Sequence, residues 1–90
     1  MGCCFKAIGD DTRRRILEIL GKGSATAGDI AHQFQISQPT VSNHLKILKE
    51  AGLIKERKVA QNRIYSLDRS ELQKVISSLE EIIKQKESME

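Results

Sequence analysis

The sequence predicts a mainly α-helical domain that carries one small β-hairpin. Apolar residues recur at three- and four-residue spacing in several stretches of the chain, as in amphipathic helices. Between residues 53 and 67 this spacing changes, and two short β-favouring stretches flank a polar turn. A connection of only a few residues joins the two helical stretches before the hairpin, which is the pattern of a helix-turn-helix. The full order, α1-α2-α3-α4-hairpin-α5, is that of a winged helix-turn-helix.

Length and composition predict one small domain, which we expect to span residues 1–90. Fifteen Lys and Arg against twelve Asp and Glu give a net charge of +3, which is compatible with a nucleic-acid partner without requiring one. No apolar run approaches the ~20 residues that cross a bilayer, and no secretory signal opens the chain. Two adjacent cysteines supply no disulfide framework. We therefore expect a cytoplasmic protein with no membrane partner.

The first two helices are predicted around the stretch DDTRRRILEILGKG. A short apolar segment from Phe5 to Ile8 is ended by Gly9. The second helix would begin after Asp10 as its N-cap, and Gly21 would lie past its end. Its buried side chains would be Ile16, Leu17, Ile19 and Leu20.

The next two helices form the predicted helix-turn-helix. One helix is expected from about Ala27 to Phe34, on the helical spacing of its apolar residues. For the following helix, Ser37 is a favourable N-cap, and Pro39 falls in the first turn, where its missing N–H costs no hydrogen bond. The apolar stripe of that helix is Val41, Leu45 and Leu48. The second helix of such a pair is the one that enters the major groove of DNA.

The remaining elements are a hairpin and a long final helix. LIKERK and RIYSL are the predicted strands, and VAQN separates them. Asp68 followed by Glu71 resembles a capping box at the start of the final helix. The apolar stripe of the final helix is Leu72, Val75, Ile76, Leu79, Ile82 and Ile83.

Short polar side chains remain on the outer face of the predicted recognition helix. The residues are Gln38, Pro39, Thr40, Ser42, Asn43 and Lys46. Gln and Asn can form two hydrogen bonds with adenine, and Ser and Thr can bond base edges or phosphates. We predict that these six residues face double-stranded DNA. The alternative is an ordinary solvated helix face, which leaves the short turn and the basic hairpin unexplained.

Basic and polar residues also mark the hairpin as a DNA-facing wing. Lys58, Gln61, Asn62 and Arg63 are predicted to contact phosphates or the minor groove. For Lys55, protection of an exposed strand edge is an equally good explanation. Tyr65 is predicted to pack on the domain rather than touch DNA.

Two stretches resemble the ArsR family of small bacterial winged-helix repressors. FKAIGDDTRRRILEIL is similar to the family's opening pattern, and ISQPTVSNHLKILKEAGLI is similar to its recognition-helix signature. The resemblance runs from about Phe5 to Leu67 and looks closest to the SdpR-type autorepressor branch, whose members have no evident metal site. It implies a homodimer that binds a pseudo-palindromic operator and represses transcription. Many members have Gly at the wing turn where this chain has Ala60, so we expect the turn to be displaced toward Asn62.

The resemblance further implies dimerisation by the first and last helices, residues 1–9 and 69–88. The sequence agrees, because the last helix offers more apolar stripe than a small core can cover. The expected interface residues are Phe5, Ile8, Leu72, Val75, Ile76, Leu79, Ile82 and Ile83. The alternative is that the last helix only completes the core of a monomer.

The resemblance also bears on whether the chain senses a metal or metalloid ion. The family's arsenic site has Cys-x-Cys just before the Asp that corresponds to Asp29, and its zinc site on the last helix uses His, which residues 68–90 lack. In place of the arsenic ligands this chain has Thr26, Ala27 and Gly28. We therefore predict no metal site and no cofactor. Cys3 and Cys4 remain a possible effector site, because adjacent thiolates bind soft ions such as As(III) or undergo oxidation.

The predicted function is that of a sequence-specific DNA-binding transcriptional repressor. One alternative is a thiol-based metalloid or redox sensor-repressor that uses Cys3 and Cys4, and another is a winged-helix protein-interaction module. An enzyme is not predicted, because the sequence shows no paired nucleophile and base and no phosphate-binding Gly loop.

Overall fold

The computed structural model describes the backbone of residues 2–88 and the side chains of residues 3–85. In chain order the elements are α1 (Gly2–Ile8), α2 (Asp11–Lys22), α3 (Ala27–Phe34), α4 (Gln38–Glu50), β1 (Ile54–Val59), β2 (Asn62–Leu67) and α5 (Arg69–Ser88). The two strands pair antiparallel, with Ile54 opposite Leu67 and Val59 opposite Asn62. This is the predicted winged helix-turn-helix. Met1, Met89 and Glu90, which complete the expected domain, lie outside the described residues.

One apolar core holds the helices and the base of the hairpin together. The largest side chains that are fully buried are Ile16, Leu20, Ile30, Val41, Leu45, Leu48 and Leu53. Tyr65 is buried as well, in agreement with its predicted packing role. Leu17 and Ile19, which were expected to be buried, are half-buried and pack at the edge of this core. The core therefore fixes α4 and the base of the hairpin, the two parts expected to position the DNA-contacting residues.

The end of α2 differs from the sequence prediction. The helix begins as expected, with the Asp10 carboxylate accepting the amide of Arg13 at 3.0 Å. It does not end before Gly21, because it continues to Lys22 and closes at Gly23. A helical Gly costs only about 1 kcal/mol relative to Ala, and burial of the neighbouring Leu20, which is 2% exposed, holds this turn in the helix.

The capping box also lies at a different helix from the one predicted. At α3, Thr26 Oγ1 accepts the amide of Asp29 and the Asp29 carboxylate accepts the amide of Thr26. At α5, Asp68 accepts the amide of Glu71 at 3.3 Å, but the reciprocal bond is replaced. The Asp68 amide instead donates to the Leu53 carbonyl at 2.9 Å, so the bond to the core displaces the local one.

The hairpin is anchored at its base and closes with a strained tip. Ala25, between α2 and α3, exchanges two backbone hydrogen bonds with Tyr65 of β2, at 3.1 and 2.9 Å. At the tip, only Ala60 and Gln61 lie between the last paired residues. The expected displacement of the turn toward Asn62 is therefore wrong. Ala60 itself takes the left-handed conformation, with φ of 57°, because the two-residue loop fixes the register of the strands.

Candidate DNA-binding surface

The start of α4 is built by local hydrogen bonds. Gln35 closes α3 in the left-handed conformation, with φ of 57°, and Ser37 caps α4 by accepting the Thr40 amide at 3.3 Å. Pro39 lies in the first turn, as predicted. The hydroxyls of Ser37 and Thr40 are 2.7 Å apart and bond each other. The Thr40 hydroxyl therefore already has a hydrogen-bond partner inside the protein. Its methyl group has none, so a contact between this methyl group and a base would break no hydrogen bond.

All ten residues predicted to contact DNA are exposed. Six of them line one groove of about 640 Å³ between α4 and the wing. These six are Gln38, Ser42, Lys46, Gln61, Asn62 and Arg63. The other four, which lie outside the groove lining, are Pro39, Thr40, Asn43 and Lys58. The structure therefore brings residues of the recognition helix and of the wing tip to one surface.

The groove also contains charged residues that the sequence prediction did not include. Lys49 at the end of α4 and Glu56 on β1 both line it. Lys49 Nζ donates to Glu56 Oε1 at 3.0 Å, and Arg63 Nε lies 3.5 Å from Glu56 Oε2. The Lys49 hydrogen bond holds the pKa of the Glu56 carboxyl below its usual value, and the charges of Lys49 and Arg63 act in the same direction. Lys49 could have been predicted as a groove residue, because it lies three residues after Lys46 and so on the same face of α4.

The two cysteines occupy different environments. Cys3 is exposed, whereas Cys4 is buried and its thiol donates to the Ala51 carbonyl at 3.1 Å. Burial raises the pKa of the Cys4 thiol, and the adjacent Cys3 thiol raises it further. A buried thiol with a raised pKa is a poor nucleophile and a poor metal ligand at neutral pH.

The residues predicted for the dimer interface fall into two groups. Val75 is buried in its own core, and Ile8 and Leu72 are half-buried against that core. The exposed group is Phe5, Ile76, Leu79, Ile82 and Ile83, with exposures between 39% and 63%. Every described side chain from 79 to 85 is exposed, so the second half of α5 extends beyond the core.

Neither a metal-binding cluster nor a membrane-spanning helix is present in the described part of the chain. Within it, His, Cys, Asp and Glu side chains nowhere gather in a group of three or more that could hold a metal ion. None of its helices combines the length and apolar character needed to cross a membrane.

Comparison with known proteins identifies the family. The family model described as bacterial regulatory protein, arsR family, matches residues 10–56, which run from the cap of α2 into β1. The chain belongs to the ArsR family. Within the family it is 49% identical over 77 residues to the transcriptional repressor SdpR of Bacillus subtilis, and the match covers 86% of each chain.

Further ArsR-family proteins support the same assignment. The arsenical resistance operon repressor of Staphylococcus aureus is 36% identical over 75 residues, which cover 83% of this chain and 72% of that protein. The solved structure of an ArsR-like transcriptional regulator from Rhodococcus sp. RHA1 superimposes with a TM-score of 0.86 at 30% identity, covering 97% of this chain and 82% of that one. Members of the ArsR family that match here are transcription regulators with a DNA-binding fold. The predicted fold, the family and the assignment to regulation rather than catalysis are thereby confirmed.

Proposed function

We propose that the protein is a homodimeric repressor that binds a pseudo-palindromic operator through α4 and the wing. The groove carries this proposal, because it joins polar side chains of α4 to Arg63 and two amide side chains of the wing on one exposed surface. In the complex, Gln38, Ser42 and Asn43 would meet base edges in the major groove, and wing residues would meet phosphates. Two ArsR-family relatives, SdpR and the arsenical resistance protein, are named repressors. Their names support repression rather than activation of transcription.

The outer face of α5 supports the dimer. Ile76, Leu79 and Ile83 follow three- and four-residue spacing and are 49%, 48% and 61% exposed. An apolar stripe of this length is rarely left in contact with water. The same stripe on a second copy would cover it by two-fold symmetry. The two recognition helices would then lie about 34 Å apart, one turn of the DNA duplex.

A fluorescence anisotropy titration tests DNA binding. The protein first selects sites from a library of random duplexes of about 30 bp, which is long enough for two half-sites one helical turn apart. We expect the selected duplex to bind more tightly than a random one, with an affinity that falls steeply as salt rises. Equal binding of the two duplexes, or no binding, would contradict the proposal, and a protein captured in its place would favour an interaction module.

Light scattering after gel filtration tests the dimer. We expect Leu79→Asp to give a monomer with reduced affinity for the selected duplex, because the dimer would bury this stripe and leave the carboxylate without a partner. Ser77→Asp is the matched control, since it adds the same charge at an exposed position of α5. A dimeric Leu79→Asp protein, or a monomeric parent that still prefers the selected duplex, would refute the assembly proposed here.

A further inference from the structure

A single carboxylate lies among the cations of the groove. Among the described residues that line it, Glu56 alone is acidic, whereas Lys46, Lys49 and Arg63 are basic. A negative charge here repels the phosphates that the cations attract. Glu56 therefore opposes phosphate binding at a surface whose other charged residues are basic.

Glu56 connects the recognition helix to the second strand of the wing. Its two oxygens have different partners, since Oε1 accepts from Lys49 Nζ at the end of α4 and Oε2 lies 3.5 Å from Arg63 Nε on β2. Both cations project from elements that border the groove. The carboxylate thus forms a side-chain link between α4 and the wing, in addition to the backbone ladder that joins β1 to β2.

The exposures show that the carboxylate is recessed and the cations are accessible. The side chain of Glu56 is 17% exposed, against 53% for Lys49 and 67% for Arg63. Lys49 and Arg63 can therefore be approached by a phosphate from outside. Each cation keeps further N–H donors for a phosphate while it contacts Glu56, but the nearby negative charge of Glu56 weakens the attraction between that cation and the phosphate.

We propose that Glu56 is a positioning residue for DNA specificity: its negative charge offsets part of the positive charge of Lys49 and Arg63, which weakens binding to random DNA, while its two contacts hold the wing to the recognition helix. This inference rests on the proposed DNA-binding function. Random duplex is bound through its phosphates, so a competing carboxylate weakens that binding. An operator complex also depends on base contacts by α4 and phosphate contacts by the wing at the same time, so a fixed wing favours it. The result is a larger ratio of operator affinity to random affinity.

The substitution Glu56→Gln, compared with Glu50→Gln, tests this proposal. Both variants lose one negative charge, but Glu50 is exposed on α4 and forms no ion pair within the described part of the chain. The probes are a labelled random duplex and the duplex selected by the protein. We expect Glu56→Gln to bind random duplex more tightly than Glu50→Gln, and its loss of affinity between 50 and 200 mM salt to increase by about 3.5-fold for each cation freed. Its preference for the selected duplex should fall.

Equal random-duplex affinity and equal salt dependence in these two variants would overturn the role of Glu56. A parent protein that binds neither duplex would instead refute the proposed function itself, and the inference with it. The two failures are distinguishable because the parent is measured before the variants are compared.

A second pair of variants removes the dependence on how Glu56→Gln folds. Lys46 and Lys49 are both exposed on α4 and line the same groove, but Glu56 pairs with Lys49. We expect Lys46→Gln to lose more affinity for random duplex than Lys49→Gln, because the charge of Lys49 is already partly neutralised. Equal losses, or a larger loss for Lys49→Gln, would overturn the proposal.

Discussion

The guanidinium of Arg13 on α2 lies 3.3 Å from Nδ1 of His44 on α4. Because a guanidinium has only donors, Nδ1 accepts in this contact. The same side chain donates to the α1 carbonyls of Ala7 at 2.8 Å and Lys6 at 3.3 Å. Arg13 therefore connects the C-terminal end of α1 to the middle of the recognition helix.

Replacement of Arg13 should destabilise the protein. Arg13→Ala removes charge-assisted bonds to partly buried acceptors, so we expect the free energy of unfolding to fall by about 1–3 kcal/mol, measured by urea denaturation. Arg14→Ala is the control, because among the described residues Arg14 pairs only with the exposed Asp11 on the same helix, and it should change stability by less than about 0.5 kcal/mol. Equal effects of the two substitutions would show that the contacts of Arg13 contribute no more to the free energy of unfolding than the surface ion pair of Arg14.

The wing tip offers a stabilising substitution. Ala60 has φ of 57°, a conformation that costs a residue with a side chain about 1–2 kcal/mol and costs Gly almost nothing. After allowance for the greater flexibility of Gly in the unfolded chain, we expect Ala60→Gly to stabilise the protein by about 0.5–1 kcal/mol. Ala51, with φ of −78°, is the control, and Ala51→Gly should destabilise. A loss of stability in Ala60→Gly would rule out strain at this turn.

The recognition helix and the wing should differ in how they affect DNA preference. We expect Asn43→Ala or Gln38→Ala to cost about 1–3 kcal/mol on the selected duplex and to relax base preference, because amide side chains bond base edges. Lys58→Ala should weaken all duplexes alike, because a phosphate contact is independent of sequence. Titrations of selected and random duplex measure both effects. An equal loss on both duplexes for Asn43→Ala would contradict the base-reading role.

Stability should decrease in acid. The pKa values of three carboxyls are held low, that of Asp10 chiefly by the Arg13 amide, that of Glu56 by Lys49 and that of Asp68 by the Ser70 hydroxyl. A lowered folded pKa gives stability that is present above the unfolded value, about 4, and is lost as the pH falls through the folded value. Thermal unfolding should therefore show a falling Tm below about pH 4.5.

Asp68→Asn provides the check on this acid dependence. Asn remains a good N-cap but cannot titrate, so the decrease in Tm with acid should be shallower in the variant. An unchanged slope would remove Asp68 from the groups responsible.

The thiols should react at different rates. Cys3 is exposed and Cys4 is buried with a raised pKa, so we expect a disulfide reagent to label Cys3 quickly and Cys4 only slowly in the folded protein. The double variant Cys3→Ser/Cys4→Ser should still bind the selected duplex. If DNA binding by the parent responds to As(III) or oxidant and the double variant does not, the thiol-sensor alternative is supported. Without any response in the parent, that alternative fails.

Features that depend on local sequence were predictable. Ser37 and Pro39 mark the start of α4, and the stripe of Val41, Leu45 and Leu48 marks its buried face. The position of the recognition helix could therefore be predicted without any information on contacts between elements. The exposed stripe of α5 was visible for the same reason.

Features that depend on contacts between elements were not predictable from local patterns. The Asp68 amide is taken by the Leu53 carbonyl, which breaks the expected capping box. Glu56 pairs with Lys49 across the turn between α4 and β1 and with Arg63 across the hairpin, so neither partner follows from helical spacing. Gly21 stays helical because the fold buries its neighbour Leu20.

The backbone bridge between Ala25 and Tyr65 should divide the wing into two parts with different dynamics. A two-stranded hairpin alone is marginally stable, but the bridge gives the base of β2 a second strand-like partner besides β1. The Tyr65 amide should thus resist hydrogen exchange far longer than amides near Ala60. Insertions between Val59 and Asn62 would then lengthen the tip without disturbing the base, so the reach of the wing along a duplex is free to vary independently of the recognition helix.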